Sequence, residues 1–429
     1  MSPKMSPKIN TKLLHYAPTR VYLYGVPSSC RDLVTDKRRG YFFSKPGEYL
    51  QKNRRQYQLK INKFTTVSIV AALSVALTVP ALTSAFAATN YATITTQSQG
   101  GGPRGLIAAC QKEGQLNVIA LPLYWADYGS MITGFKAAYG VKIDEANPEG
   151  SSQDEINAAI TNKGTNRSPD VFDIGLAIAE KYKDTGTFAP YRSRLWNYID
   201  GHDSGNGEYI PNYTGIMTIG YSGKFGTITS LNDLFDPKFK GAVALNGDPL
   251  GSSAGINGLF MINKALGGTF DDVSKGLAWF KKMKSLGNFV NVDPTEATIA
   301  SGQTPVVIDN GYVQAGVQKK FAAAGVIWKL YTPAAVGSTY NSAVSAWAPH
   351  PACARLWMEY TLGEKGANVW AIGGASPTLW QWMLRTGRAS TAAKAQIGSS
   401  RVKADKATAD QTTAARAFLK TAWPAAVGG

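Results

Sequence analysis

The sequence has only three cysteines and three histidines among 429 residues, and this scarcity removes several kinds of chemistry. Cys30, Cys110 and Cys353 show none of the close pairing that a structural zinc site or a C-x-x-C redox motif needs. No Walker A lysine motif occurs, nor a dinucleotide fingerprint set between a strand and a helix. Neither a metal nor an organic cofactor is expected. Acids are also few, 29 Asp and Glu against 45 Lys and Arg, for a net charge of +16. The excess is local: residues 1–87 hold 14 Lys and Arg against 3 acids, whereas residues 88–429 hold 31 against 26. Beyond residue 87 no dense basic run with interleaved aromatics occurs, which argues against a nucleic-acid partner. At 44% hydrophobic and 17% charged, the composition is that of a globular protein with room for a sizeable core.

Charge is missing altogether from Phe64 to Pro103. Within this stretch Thr65–Ala81 is apolar and small, follows Arg54, Arg55, Lys60 and Lys63, and precedes Ala85-Phe86-Ala87. A basic flank, an apolar run and a small-residue site are the anatomy of a secretory signal peptide. Residues 64–87 are therefore read as its apolar region and cleavage site, which sends the mature protein to the periplasm or another extracytoplasmic space. Retention as a membrane anchor is the alternative. Residues 1–63 form an extension and basic region longer than such a signal needs, consistent with a translation start downstream of Met1. In the mature chain one disulfide between Cys110 and Cys353 competes with two buried small apolar side chains, and Cys110 is assigned to helix packing.

Residues 88–105, ending in the Gly-rich Gln97–Gly105, read as a flexible spacer by composition. After it, short apolar runs alternate with amphipathic windows, the pattern of an α/β protein with largely parallel sheets. Strands are expected at 116–121, 141–144, 170–174, 216–221, 242–245 and 306–309, and a last extended run at 342–351. Helices are expected around 131–139, 256–266, 273–286, 353–360 and 365–370. Another opens with a capping box formed by Ser152 and Glu155.

The order of several segments resembles the type II periplasmic binding proteins of ABC importers. These are Lys112–Leu116, Phe135–Ile143, Ser168-Pro169-Asp170-Val171, Asp233–Gly241 and Ala348–Leu356, spread over residues 110–380. The resemblance implies a two-lobed α/β fold with a ligand cleft between lobes that close about a hinge. Lobe 1 would be residues 106–215 and lobe 2 residues 216–342, with residues 343–429 returning to lobe 1 and ending in helices. It also implies a monomeric, non-enzymatic receptor that delivers a small solute to a membrane permease.

Candidate binding residues follow the expected strand ends, which face the crevice of an open α/β sheet. Tyr124–Tyr128 resembles the Trp-x-x-Tyr segment of the spermidine/putrescine-binding branch. Trp125 and Tyr128 can box an alkylammonium by cation–π contact while Asp127 pairs with it. Core packing is the competing role for both rings. Asp309 and Tyr312 are the counterparts expected from lobe 2, with helix capping the competing role for Asp309. In the loop 247–255, Asp248, Ser252 and Ser253 and the N–H groups at a helix start can hold an anionic group, or simply make a turn and an N-cap. The segment Gly337–Ser345 lacks the acids polyamine binders carry there, and Tyr312 stands alone where ferric-ion binders have two tyrosines.

Polyamine or a related amine is the leading ligand class, with a ferric complex, a phosphonate or another organic anion as alternatives. A reading of another class competes: Gly251-Ser252-Ser253-Ala254-Gly255 matches the G-x-S-x-G elbow, and Asp309 and His350 follow in the chain order of a serine hydrolase. Against it, Gly247–Leu250 separate the elbow from its strand, and His350 is wedged between two prolines.

Overall fold

The computed structural model describes residues 89–202, 206–400 and 403–428. The signal-peptide segment 64–87 lies outside the described residues. Residues 89–105, expected to be a spacer, are instead built into the fold. Gly101 in the left-handed conformation and Pro103 in the first turn open α1 (Gly102–Glu113), and left-handed Gly114 closes it. The buried Arg355 guanidinium donates to the carbonyls of Ala92 and Ile94 and tethers the chain ahead of that helix. Composition suggested flexibility because glycine is permissive; here the glycines make a cap.

The first lobe continues through β1 (Gln115–Ile119), α2 (Tyr128–Tyr139), β2 (Lys142–Ala146), α3 (Ser152–Thr161), β3 (Val171–Gly175), α4 (Leu176–Tyr182) and β4 (Phe188–Ala189). β1 and β2 run parallel, and Asp170 joins them to β3 by exchanging backbone and carboxylate bonds with Asn117. β5 (Ile210–Ser222) is 13 residues long, about 40 Å of extended chain, and serves both lobes. Its first half pairs antiparallel with β9 (Gly337–Ser345). Its second half, from Met217, pairs with β7 (Val306–Asn310) and β8 (Trp328–Tyr331). β6 (Val243–Leu245) then extends the second lobe parallel to β7; the sheets expected to be largely parallel are mostly antiparallel, because β5 and β9 cross between the lobes in opposite directions. Its helices are α5 (Ser253–Ala265), α6 (Ser274–Ser285), the short α7 (Glu296–Ala300) and α8 (Gly311–Ala323).

β9 returns the chain to the first lobe, pairing with β3 and β4. It ends at Ser345, earlier than the extended run expected to residue 351, because a turn closed by the Ala348 N–H on the Ser345 carbonyl follows, and Pro351 then opens α9 (Pro351–Thr361). Then come α10 (Glu364–Ile372), β10 (Ser376–Pro377), α11 (Trp380–Arg385), α12 (Thr391–Ile397) and α13 (Ala409–Val427). α13 does not stay with the first lobe. Ala415, Leu419, Trp423 and Val427 are buried in the second lobe's core with Phe280 and Phe289.

Cys110 of α1 and Cys353 of α9 form a disulfide, with Cα atoms 4.4 Å apart and 243 residues between them in sequence. Their reading as two separate packing residues is therefore corrected. Glu113 reinforces the junction by accepting the N–H groups of Ala352 and Cys353 at the start of α9. No described helix is long and apolar enough to cross a membrane.

Candidate functional site

Between the lobes lies a cavity of about 220 Å³. The first lobe contributes Trp125 and residues 148–155, the second contributes residues 246–248, 251–254, Asp293 and Pro294, and the crossing strand β9 contributes Tyr340. Helices α3 and α5 both begin at it. The hydroxyls of Ser152 and Ser253, the first residue of each helix, are 3.2 Å apart across the lobes. Gly175 makes this approach possible, since a Cβ there would run into the Ser253 side chain.

The structure brings half of the expected site residues to the cavity. Trp125 lines it, with its indole N–H donated to Tyr213 (2.9 Å) and its ring edge-on to Tyr312 and Tyr340. Asp248, exposed, accepts the Leu250 N–H, and Ser252 caps α5 by accepting from Gly255 while donating to the Asn246 carbonyl. Ser253 completes that wall.

The other four do not line it. Asp127, left-handed at φ 61°, caps α2 by accepting from Ser130, so its carboxylate serves the helix rather than the cavity. Tyr128 is buried against Tyr213 and Trp370. Tyr312 is 1% exposed, enclosed by Trp125 and Tyr213, and its hydroxyl has no partner. Asp309 is also 1% exposed and stands one layer behind the wall, accepting from the amide of the lining residue Asn246 (2.8 Å) and from the Asn310 N–H. The N-cap of α8 is Asn310.

Sequence reasoning missed the acids that matter most to the cavity's charge. The capping box of α3 falls one residue earlier than expected, between Ser151 and Asp154. That shift releases Glu155, which is buried at the cavity and accepts the Asp173 N–H (2.8 Å). Asp173 of β3 accepts from the Asn212 amide and the Tyr213 hydroxyl, each at 2.6 Å. Its signal was the third residue of a buried strand, where an acid is out of place unless hydrogen-bonded. With Glu149, Asp154, Asp248 and Asp293 the lining holds six carboxyl groups and no lysine, arginine or histidine.

Burial sets their titration. Loss of solvation raises the Asp173 carboxyl to about 6 against the opposing bonds from Tyr213, Asn212 and Tyr128, and raises Asp309 to about 7. Burial likewise lifts Glu149, and lifts Glu155 well above the usual carboxylate range.

The hydrolase arrangement is absent. The Ser253 hydroxyl faces Ser152, while His350 is bound by Asp170 through its backbone N–H (2.7 Å) and ring Nδ1 (2.9 Å). Asp309 bonds neither. Among the described residues no three His, Cys, Asp or Glu side chains converge as metal ligands.

Comparison with known proteins assigns the class of this two-lobed α/β protein with a polar cavity between its lobes. The model of the bacterial extracellular solute-binding protein family matches residues 166–396, more than half of the chain, and the chain belongs to that family. Comparison with curated protein sequences finds no match. Among solved structures, the chain is similar to AgtB of A. tumefaciens R10, in complex with agropinic acid, with a TM-score of 0.55 at 14% identity over 74% of this chain and 99% of that one. It is similar to AfuA of Actinobacillus pleuropneumoniae, with fructose-6-phosphate bound, with a TM-score of 0.52 at 16% identity over 73% and 99%. It is also similar to iron-bound HitA of Pseudomonas aeruginosa, with a TM-score of 0.50 at 18% identity over 71% and 97%. Identities this low carry the fold and not the ligand. The protein is the substrate-binding component of an ABC-type import system, a partner of a membrane permease and not an enzyme.

Proposed function

We propose that the protein captures a small cationic solute, a polyamine or related amine, by closing its lobes over the cavity. The observation that carries this reading is the lining, six carboxyl groups with no basic side chain. In a partly dry cavity an ammonium group offsets the cost of ionising the buried acids, Asp173 and Glu149 among them. Trp125 and Tyr340 add aromatic surface for the alkyl chain and for cation–π contact.

A second reading, an organic anion, is favoured by the facing N-termini of α3 and α5, where N–H groups and helix dipoles attract negative charge. Calorimetric titration separates the two. With putrescine and spermidine as probes, Asp173→Asn is expected to weaken binding by about 2–5 kcal/mol, the range for truncating one side of a buried charge pair. Unchanged affinity in Asp173→Asn and Glu155→Gln together would sink the amine reading. Loss confined to Ser152→Ala and Ser253→Ala, with an organic phosphate as the probe, would establish the anion.

We further propose export with cleavage after Ala87, supported by the uncharged stretch and the Ala85-Phe86-Ala87 site. Protein recovered from the producing cell should begin near Ala88 by N-terminal sequencing. A mature chain that retains Thr65–Ala81 would instead be anchored.

A further inference from the structure

The chain passes between the lobes a third time, after the two crossing strands. α12 belongs to the first lobe, where Ala393 is buried, and α13 is buried in the second lobe's core while its start also packs on α4 of the first. Between them, Asp405 exchanges backbone hydrogen bonds with the second lobe's edge of β9, donating to the Ala335 carbonyl (2.9 Å) and accepting the Gly337 N–H (2.8 Å). Its carboxylate pairs with Lys264 of α5 at 3.1 Å. The next residue, Lys406, donates to Thr339 of β9 (2.8 Å) and Thr214 of β5 (3.1 Å), whose hydroxyls are 3.1 Å apart. These threonines face away from the cavity because side chains alternate along a strand, and Tyr213 and Tyr340 take the other face. Further on, half-buried Arg416 of α13 donates from Nε to the Pro249 carbonyl (3.0 Å) and from an Nη to the Ser252 carbonyl (3.2 Å). Both carbonyls belong to the loop that walls the cavity.

We propose that residues 403–427 are a strap that positions the ligand loop: Lys406 and Asp405 clasp the two hinge strands from behind, and Arg416 holds the loop Gly247–Ser252 in shape. Arg416 and Lys406 are positioning residues that touch no ligand themselves. The physical logic is that one short segment, Asp405–Arg416, is bonded to the hinge strands at its start and to the loop at its end. Bending of β5 and β9 at Thr214 and Thr339 must displace Lys406, and through α13 must pull on the loop carbonyls. The strap lies beyond residue 396, where the family match ends.

The test uses ligand-free protein and so stands whatever the solute proves to be. Spin labels on Lys136→Cys in α2 and Lys281→Cys in α6, both exposed, report the distance between lobes. The wild-type background is expected to give one narrow distance distribution, and Lys406→Met and Asp405→Pro a broader one shifted to longer distance. Hydrogen exchange followed by mass spectrometry reads the loop. In Arg416→Met the amides of 247–255 should exchange at least about tenfold faster, since two charge-assisted bonds are lost and tenfold is the factor for one, with α6 and the first lobe unchanged. Arg416→Lys, which keeps the charge but not the two-pronged donor, is expected to fall between and serves as the reading if Arg416→Met does not fold. Unchanged distances and loop exchange would overturn the proposal even if the melting temperature fell. So would faster exchange spread evenly over the second lobe, which would make α13 a stabilising helix only.

Discussion

Asp173 and Asp309 stand on strands that end at the hinge, and burial raises their carboxyls to about 6 and about 7. An acid whose folded pKa exceeds its unfolded value binds its proton more tightly when folded. Its contribution to stability is complete below the unfolded value and fades as pH rises through the folded one. Ligand-free protein should therefore lose melting temperature between about pH 4 and pH 7, as a thermal scan across that range will read. Amine binding should run the opposite way, because Asp173 must be ionised to pair with the cation. Affinity for spermidine is expected to fall as pH drops below about 6 in calorimetric titration, while the free protein becomes more stable. Stronger binding at low pH would indicate an anionic ligand. Asp173 shows how far residues alone could lead: it was legible as an acid in the strand 170–174, but its polar partners Asn212 and Tyr213 lie 39 and 40 residues away. Glu155 was misread as a cap, because two overlapping Ser-x-x-acid patterns compete and backbone geometry chose Ser151 with Asp154.

At the scale of elements, two junctions invite direct tests. The Cys110–Cys353 disulfide closes a loop of 243 residues between α1 and α9. Chain-entropy reasoning gives about 5 kcal/mol for a loop that long, as an upper value because the reduced chain retains structure. Guanidinium unfolding with and without dithiothreitol should show a clearly lower midpoint on reduction, and an unchanged midpoint would make the bond incidental to stability. Gly175 is the second junction. Its φ of −68° suits any residue, so Gly175→Ala strains no backbone and acts only through the crowding of Ser253 across the lobes. Overpacking of this kind costs about 1–3 kcal/mol, and the cost falls on the arrangement in which Ser152 and Ser253 touch. The expected outcome is weaker binding of the same amine by calorimetry. Undiminished affinity would mean that the two helix starts need not approach when ligand is held.

For the molecule as a whole, a receptor that works by closure becomes more compact when loaded. Small-angle scattering of the wild-type protein should show a smaller radius of gyration with saturating spermidine than without, and no change would argue against hinge closure by that ligand. Melting temperature should rise with spermidine concentration by mass action.

Part of the strand-and-helix order was legible, because runs such as Val306–Asp309 and windows such as Val273–Leu286 carry their period in the residues themselves, whereas α4, β8, α8 and α11 to α13 were not read. Also legible were the loops that approach the hinge, such as 247–255, which local composition marks. Tertiary structure decided the rest. It built residues 89–105 into the first lobe through Arg355, joined Cys110 to Cys353, and carried α13 across to the second core. It also turned Asp127 and Tyr128 away from the cavity and brought Glu155 and Asp173 to it. Each of those outcomes depends on partners tens to hundreds of residues distant, and periodicity describes only which face of an element is apolar, not what that face meets.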